Sequence, residues 1–304
     1  MDEREKFWRQ ISEALREFSP AAVVQNADRP INLALVAETS DVLRQMESFF
    51  VPRFLGSRKA AQVRERYCSF VLPLGRTELE GLQQLDLVIC SPGARAFLSG
   101  CLPRVFTFSP QTPQAAVREI LDERWNLALP LARNFLVFRR AVNHRLIRSL
   151  ALENALIAMM AAVSEVVPAP FPLTRVLGGL VSSTILLTAN QMRLAFLMAA
   201  SNDSEVGFRK QTGQLTTIAA AALGWRFLAR ELAGRISPVS DLLTKGMLAF
   251  AATYATGLAL EQLHIWGRSM TREEKAVAFE EAYRVGRMLL DRFLDTRASR
   301  KASM

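Results

Sequence analysis

The residues most often recruited for metal, redox and nucleophilic chemistry are scarce in this chain: two histidines, His144 and His264, and three cysteines, Cys68, Cys90 and Cys101. The cysteines are odd in number and none falls in a CxxC pair. That argues against a zinc site and a disulfide framework, and it points to a reducing compartment. Cys90 ends an apolar run with no histidine near it in sequence, so it reads as a small buried hydrophobe and not as a nucleophile. His144, set among arginines, reads as a surface residue. His264, near the end of an apolar helix, reads as a satisfied core or interface side chain. No residue is assigned to catalysis, to a metal or to a cofactor.

Phosphate chemistry is the next possibility to weigh. An apolar strand over Ile31 to Ala37 ends where a phosphate loop would lie, with backbone amides cradling the anion. The residues that follow are Glu38-Thr39-Ser40-Asp41-Val42-Leu43-Arg44. They include neither glycine nor lysine, and carboxylates stand where phosphate would sit, so nucleotide binding is not expected. Ser91-Pro92-Gly93 follows a later strand, at the sheet edge where ligands bind in such folds, and reads as a simple turn.

Arg133, Arg139, Arg140, Arg145 and Arg148 lie between Leu129 and Ala151 with no acidic residue among them. In a chain of net charge +9 and pI about 10.1, this run can meet nucleic-acid phosphates or the headgroups of anionic lipid. No helix-turn-helix, zinc or single-strand-binding signature accompanies it, which makes nucleic acid the weaker reading.

These residues are carried by two different kinds of chain. With 304 residues, half of them hydrophobic and 22% charged, the protein is long enough for two domains and too apolar to be disordered. Residues 2 to 18, with Phe7, Trp8, Ile11, Leu15 and Phe18 at helical spacing, predict an amphipathic docking helix ended by Ser19-Pro20. This stretch has no uninterrupted apolar core and does not read as a signal peptide. From about residue 25 to 126, short apolar runs at Ile31 to Ala37, Tyr67 to Leu72, Leu85 to Cys90 and Arg104 to Phe108 alternate with helical patterns. Asp41 to Phe50 is one such helix, and Pro113 to Asp122, opening after Thr112, is another. The pattern predicts a small, mostly parallel α/β sheet without a phosphate loop.

Strand signals stop after Leu129, and residues 127 to 296 predict an all-α domain of helical hairpins. One helix ends near Val166; others cover 172 to 200, 205 to 235 and 239 to 266, and a charged amphipathic helix covers Thr271 to Leu294. The apolar hairpins turn at Val167-Pro168-Ala169-Pro170-Phe171-Pro172 and at Ile236-Ser237-Pro238.

Mean hydropathy is +0.12, between the values of soluble and multi-span proteins, so pattern must decide the relation to a membrane. The longest charge-free run, Val176 to Met192, covers roughly 25 Å at ~1.5 Å per residue, short of a ~30 Å hydrocarbon core unless flanking arginines snorkel. Leu173, Leu177, Leu180, Thr184, Leu187, Gln191, Leu194 and Met198 follow the 4,3 spacing of a packed bundle helix. Small residues, among them Gly178, Gly179, Gly246 and Gly257, favour close helix approach of the kind membrane interfaces use. Thr188, Asn190 and Gln191 on an apolar helix need partners and are expected to tie neighbouring helices together.

From Leu129 to Thr271 several short motifs recur in order: Asn154-Ala155, Val167-Pro168-x-Pro170, Leu187-Thr188-Ala189-Asn190-Gln191, Gly224-Trp225-Arg226 with Ala229-Arg230-Glu231, and Lys245, Thr253 and Gly257. Together they resemble the YcjF-like family of GTPase-associated proteins. The resemblance implies membrane association, at the cytoplasmic face of the plasma membrane, and a GTPase on the same chain or beside it. It implies that the N-terminal half is the reduced shell of such a GTPase domain, lacking the phosphate loop, DxxG and NKxD. The chain would then be a partner or regulator and not the motor. Arg226, Arg230 and Glu231 can pair one turn apart or meet headgroup phosphates, and Lys245 can snorkel to the same interface. The expected function is therefore non-enzymatic: a membrane-associated partner of a GTPase, with a soluble homo-oligomeric helical scaffold or a divergent nucleotide-binding protein as alternatives.

Overall fold

The computed structural model describes residues 19–52, 55–166, 183–218 and 238–302. The expected N-terminal amphipathic helix and both proline turns' apolar flanks at 167–182 and 219–237 lie outside the described residues. The chain divides into two compact units: Val24–Asn143 with Ala200–Asp203, and His144–Ala199 with Ser204–Met304 and the N-terminal residues Met1–Val23.

The first unit is α/β. Its elements are α1 (Pro20–Ala27, whose first residues belong to the helical unit), β1 (Leu33–Ala37), α2 (Ser40–Phe50), α3 (Ser57–Arg64), β2 (Tyr67–Val71), α4 (Arg76–Leu82), β3 (Leu87–Cys90), α5 (Pro92–Ser99), β4 (Phe106–Thr107), α6 (Pro113–Glu123) and α7 (Ala128–Asn134). The strands form a parallel sheet in the order β2-β1-β3-β4. Every residue of β1 and β3 is buried, as a parallel sheet covered on both faces requires. Alternation then separates the two layers. Ala34, Val36, Val88 and Cys90 pack with Leu82, Ala94 and Leu98 of α4 and α5, and Leu33 and Leu35 point to the opposite face.

On that opposite face Phe50, at the end of α2, is the centre of an aromatic cluster. Its ring centroid lies 5.2 Å from Phe49, 6.2 Å from Phe108, 6.1 Å from Phe135 and 6.2 Å from Phe138. Phe135 and Phe138 explain why this unit extends to Asn143, beyond the expected boundary near residue 126: the rings that finish its core come from the start of the next helix.

Ser91-Pro92-Gly93, read from sequence as a simple turn, instead opens α5. Ser91 is its N-cap residue and Pro92 its first residue, an arrangement in which proline's fixed φ favours a helix start. Ser19-Pro20 likewise begins α1. Thr39 caps α2 by accepting a hydrogen bond from Val42 N, the role its position before Asp41 requires.

The second unit is helical. It comprises α8 (Leu136–Val166, whose first residues belong to the α/β unit), α9 (Ser183–Ser201, whose last two residues belong to the α/β unit), α10 (212–218), α11 (Pro238–Trp266) and α12 (Arg272–Ala302). From Thr188 to Ser201 nearly every residue of α9 is buried, so it is a central helix covered all round and not one with a single buried seam. Glycines set the close contacts: a Cβ on Gly257 would lie 2.6 Å from Ile147, one on Gly246 2.7 Å from Met159, and one on Gly286 2.9 Å from Phe250. Helices α8 and α11 are therefore antiparallel, with residue 257 beside 147 and 246 beside 159.

Candidate functional site

Residues around Asn154 form a polar cluster inside the helical unit. Asn154, in α8, is fully buried. Its amide donates to Thr253 Oγ1 of α11 at 2.7 Å and to the Leu187 carbonyl of α9 at 3.3 Å, while its own oxygen accepts from Asn190 Nδ2 at 3.0 Å. Gln191 Nε2 also donates to Thr253 Oγ1, at 3.3 Å. Thr188 is buried on the same helix. At the rim, Glu153 accepts from Asn190 Nδ2 at 3.2 Å and from Arg193 Nη1 at 3.4 Å. Three helices are thus joined by side chains whose polar atoms satisfy one another, which makes the cluster a register lock.

The arginine run is split by burial. Arg133 Nε pairs with Asp28 at 2.8 Å and lies 3.6 Å from Asp203, which also takes Lys59 Nζ at 2.6 Å. Arg139 donates to the Ala132 and Arg133 carbonyls at 2.9 and 3.3 Å, closing the end of α7. Burial pushes its pKa down, opposed by Asp203. Both side chains hold the α/β unit together. Arg140, Arg145 and Arg148 are exposed on α8.

Farther along α8 the exposed positions become apolar. His144, Arg148, Leu152, Leu156 and Met160 follow one another at four-residue steps, all exposed, with Leu152 at 37%, Leu156 at 53% and Met160 at 43%. Residues four apart share a helix face. The outer face of α8 in the helical unit is therefore a stripe that is basic at Arg145 and Arg148 and apolar for the next three turns. Sequence reading found the arginines and missed the leucines, because only burial on the other faces of α8 shows which apolar residues remain outside.

Of the remaining motif residues, Lys245 is half-buried on α11 beside Gly246. Pro168, Pro170, Trp225, Arg226, Arg230 and Glu231 lie outside the described residues. Among the described residues no helix is long and apolar enough to cross a membrane. Gly257 sits against Ile147 and Gly246 against Met159, so the charge-free stretch 246–260 faces the part of α8 that carries Arg145, Arg148 and Glu153.

At the sheet's carboxyl edge the strand order reverses between β1 and β3, the position where α/β folds bind ligands. Here the crevice holds protein. Ser91 Oγ donates to Glu38 Oε2, and a Cβ on Gly93 would lie 2.8 Å from Glu38 Cδ, so the Glu38 carboxylate lies over the start of α5. Cys90, beneath, is buried, and burial pushes its thiol up to about 11, a poor nucleophile at neutral pH. Elsewhere in this unit Arg44, Ser48, Phe49, Pro110 and Pro113 line an open cleft of about 400 Å³. Among the described residues no group of three or more His, Cys, Asp or Glu is placed to hold a metal ion.

His144 Nε2 lies 3.4 Å from Glu261 Oε2. His264 Nδ1 is 3.2 Å from Ser204 Oγ, but its buried Nε2 has no hydrogen-bond partner among the described residues. The expectation of a fully satisfied His264 therefore holds for one ring nitrogen only. Burial lowers its pKa below the usual 6.5. The unfolded chain then binds the proton more readily than the folded one, so stability should decline as pH falls below about 6.5 and level off below the lowered folded-state value. Urea titrations at pH 7.5, 6.5 and 5.5 should show this decline for the wild type and less of it for His264→Gln.

No family model matches the chain, and neither does any curated protein or solved structure.

Proposed function

We propose that this protein is a non-enzymatic, membrane-surface binding protein whose helical unit attaches to anionic lipid through the outer face of α8. The observation that carries this reading is the stripe itself, with exposed Arg145 and Arg148 leading into exposed Leu152, Leu156 and Met160. Basic residues beside an apolar face suit an interface where phosphates lie above acyl chains. A second copy of the chain suits it less well, since paired stripes would set arginine against arginine or leucine. The neighbouring Glu153 carboxylate is engaged by Arg193 and Asn190.

The α/β unit is then the half that meets a protein partner, with the cleft beside Phe49 as its candidate surface. That the partner is a GTPase is proposed from the resemblance of the motif residues to the YcjF-like family.

Sedimentation of the full chain with vesicles tests the lipid reading. Wild type should sediment with phosphatidylglycerol-containing vesicles at low salt, less so at high salt, and little with pure phosphatidylcholine. Arg148→Glu and Leu156→Glu should each weaken binding by about tenfold or more without lowering Tm, because both side chains are exposed. A wild-type protein that stays in the supernatant with anionic vesicles would overturn the proposal in favour of a soluble scaffold.

A further inference from the structure

The most exposed of the described large apolar side chains is Trp266 at the end of α11, 74% exposed, and its neighbour Ile265 is 54% exposed. Two consecutive bulky apolar residues left in water at a helix end need a reason. Their place relative to the α8 stripe supplies one. His144, at the basic end of the stripe, touches Glu261 of α11, and Ile265 is one helical turn beyond Glu261 on the same side of that helix. Because α8 and α11 are antiparallel, Ile265 and Trp266 lie beyond Arg145 and Arg148 along this surface, away from Met160.

The order along this surface is thus Trp266 and Ile265, then His144, Arg145 and Arg148, then Leu152, Leu156 and Met160. At ~1.5 Å per residue, five residues of α11 and sixteen of α8 separate its ends by about 30 Å. An end-on entry of the helices could bury one apolar end only by carrying the other out of the membrane or by dragging the arginines through hydrocarbon. Lying flat, the same surface places both apolar ends and the arginines at the interface together. Tryptophan prefers that depth, with its ring at headgroup level. The adjacent Arg268 is held by Glu274 at 2.9 and 2.7 Å, so this end contributes apolar surface and leaves the charge to α8.

We infer that Ile265 and Trp266 form a second lipid anchor, and that the helical unit lies flat on an anionic bilayer, held at two apolar points on either side of Arg145 and Arg148. This inference rests on the lipid reading above. Two linked contacts bind more tightly than either alone because the second forms at high effective concentration.

Trp266 provides its own probe. With Trp8, Trp125 and Trp225 replaced by Phe, the emission of Trp266 should shift to the blue and become shielded from acrylamide when phosphatidylglycerol vesicles are added. In the otherwise native chain, Trp266→Ala should weaken vesicle sedimentation by about tenfold with an unchanged Tm. If the triple Phe variant loses its fold, the sedimentation of Trp266→Ala alone decides. Wild-type binding that Trp266→Ala leaves intact would overturn the second anchor while the α8 reading stands. Failure of the wild type itself to bind would overturn both.

Discussion

Asn154→Ala is expected to destabilise the helical unit by about 3 to 5 kcal/mol, a large share of the stability of an ordinary domain. The side chain is fully buried and serves three partners on two other helices: Thr253 Oγ1, the Leu187 carbonyl and Asn190 Nδ2. Removing it strands buried polar groups, each costing about 1 to 3 kcal/mol when left without a partner, and adds a small cavity. Gln191 still donates to Thr253, which limits the loss there. The test is urea unfolding combined with hydrogen exchange, so that the effect can be located in α8, α9 and α11. Asn190→Ala and the double variant complete a cycle in which the pair should couple by about 0.5 to 3 kcal/mol. A cost below about 1 kcal/mol for Asn154→Ala would mean that water replaces the lost partners, and the cluster would not be a register lock.

Phe50→Ala should have a comparable effect on the other unit, about 3 to 5 kcal/mol. The ring is fully buried and stands among Phe49, Phe108, Phe135 and Phe138, which come from α2, from the segment after β4 and from the junction of α7 with α8. No neighbour can fill its place without leaving a gap elsewhere, because each already packs on another part of the core. Hydrogen exchange should show β1, α2 and α7 losing protection together. Since the chain has two compact units, denaturation of either variant should be followed by two probes, one per unit, before any single free energy is quoted. Retention of full stability by Phe50→Ala would contradict its central place in the cluster.

Much of the architecture was legible without coordinates. Ile31 to Ala37, Tyr67 to Leu72, Leu85 to Cys90 and Arg104 to Phe108 are apolar runs of strand length between turn residues, and each contains the strand found there: Leu33–Ala37, Tyr67–Val71, Leu87–Cys90 and Phe106–Thr107. Helices Ser40–Phe50, Pro113–Glu123 and Pro238–Trp266 are marked by caps, N-terminal prolines and spacing. The short helices Ser57–Arg64, Arg76–Leu82 and Pro92–Ser99 were not legible. They span about two turns each, too few for an apolar period to stand out, and they hold only through packing on the sheet.

Local chemistry, then, is what the sequence determined by itself. The absence of glycine and lysine after Ala37, the odd cysteines, the proline turns and the change from strand to helix after Leu129 all depend on neighbours within a few positions. Tertiary structure alone decided which distant residues meet. It turned one run of arginines free of acidic residues into two groups, Arg133 and Arg139 held inside the α/β unit and Arg140, Arg145 and Arg148 left exposed. It brought Asn154, Asn190, Gln191 and Thr253 from three helices into one cluster, laid Glu38 over the start of α5, and left Leu152, Leu156, Met160, Ile265 and Trp266 outside. The physical reason is that a helix's period tells which residues share a face, whereas the neighbour that covers that face is supplied by chain a hundred residues away.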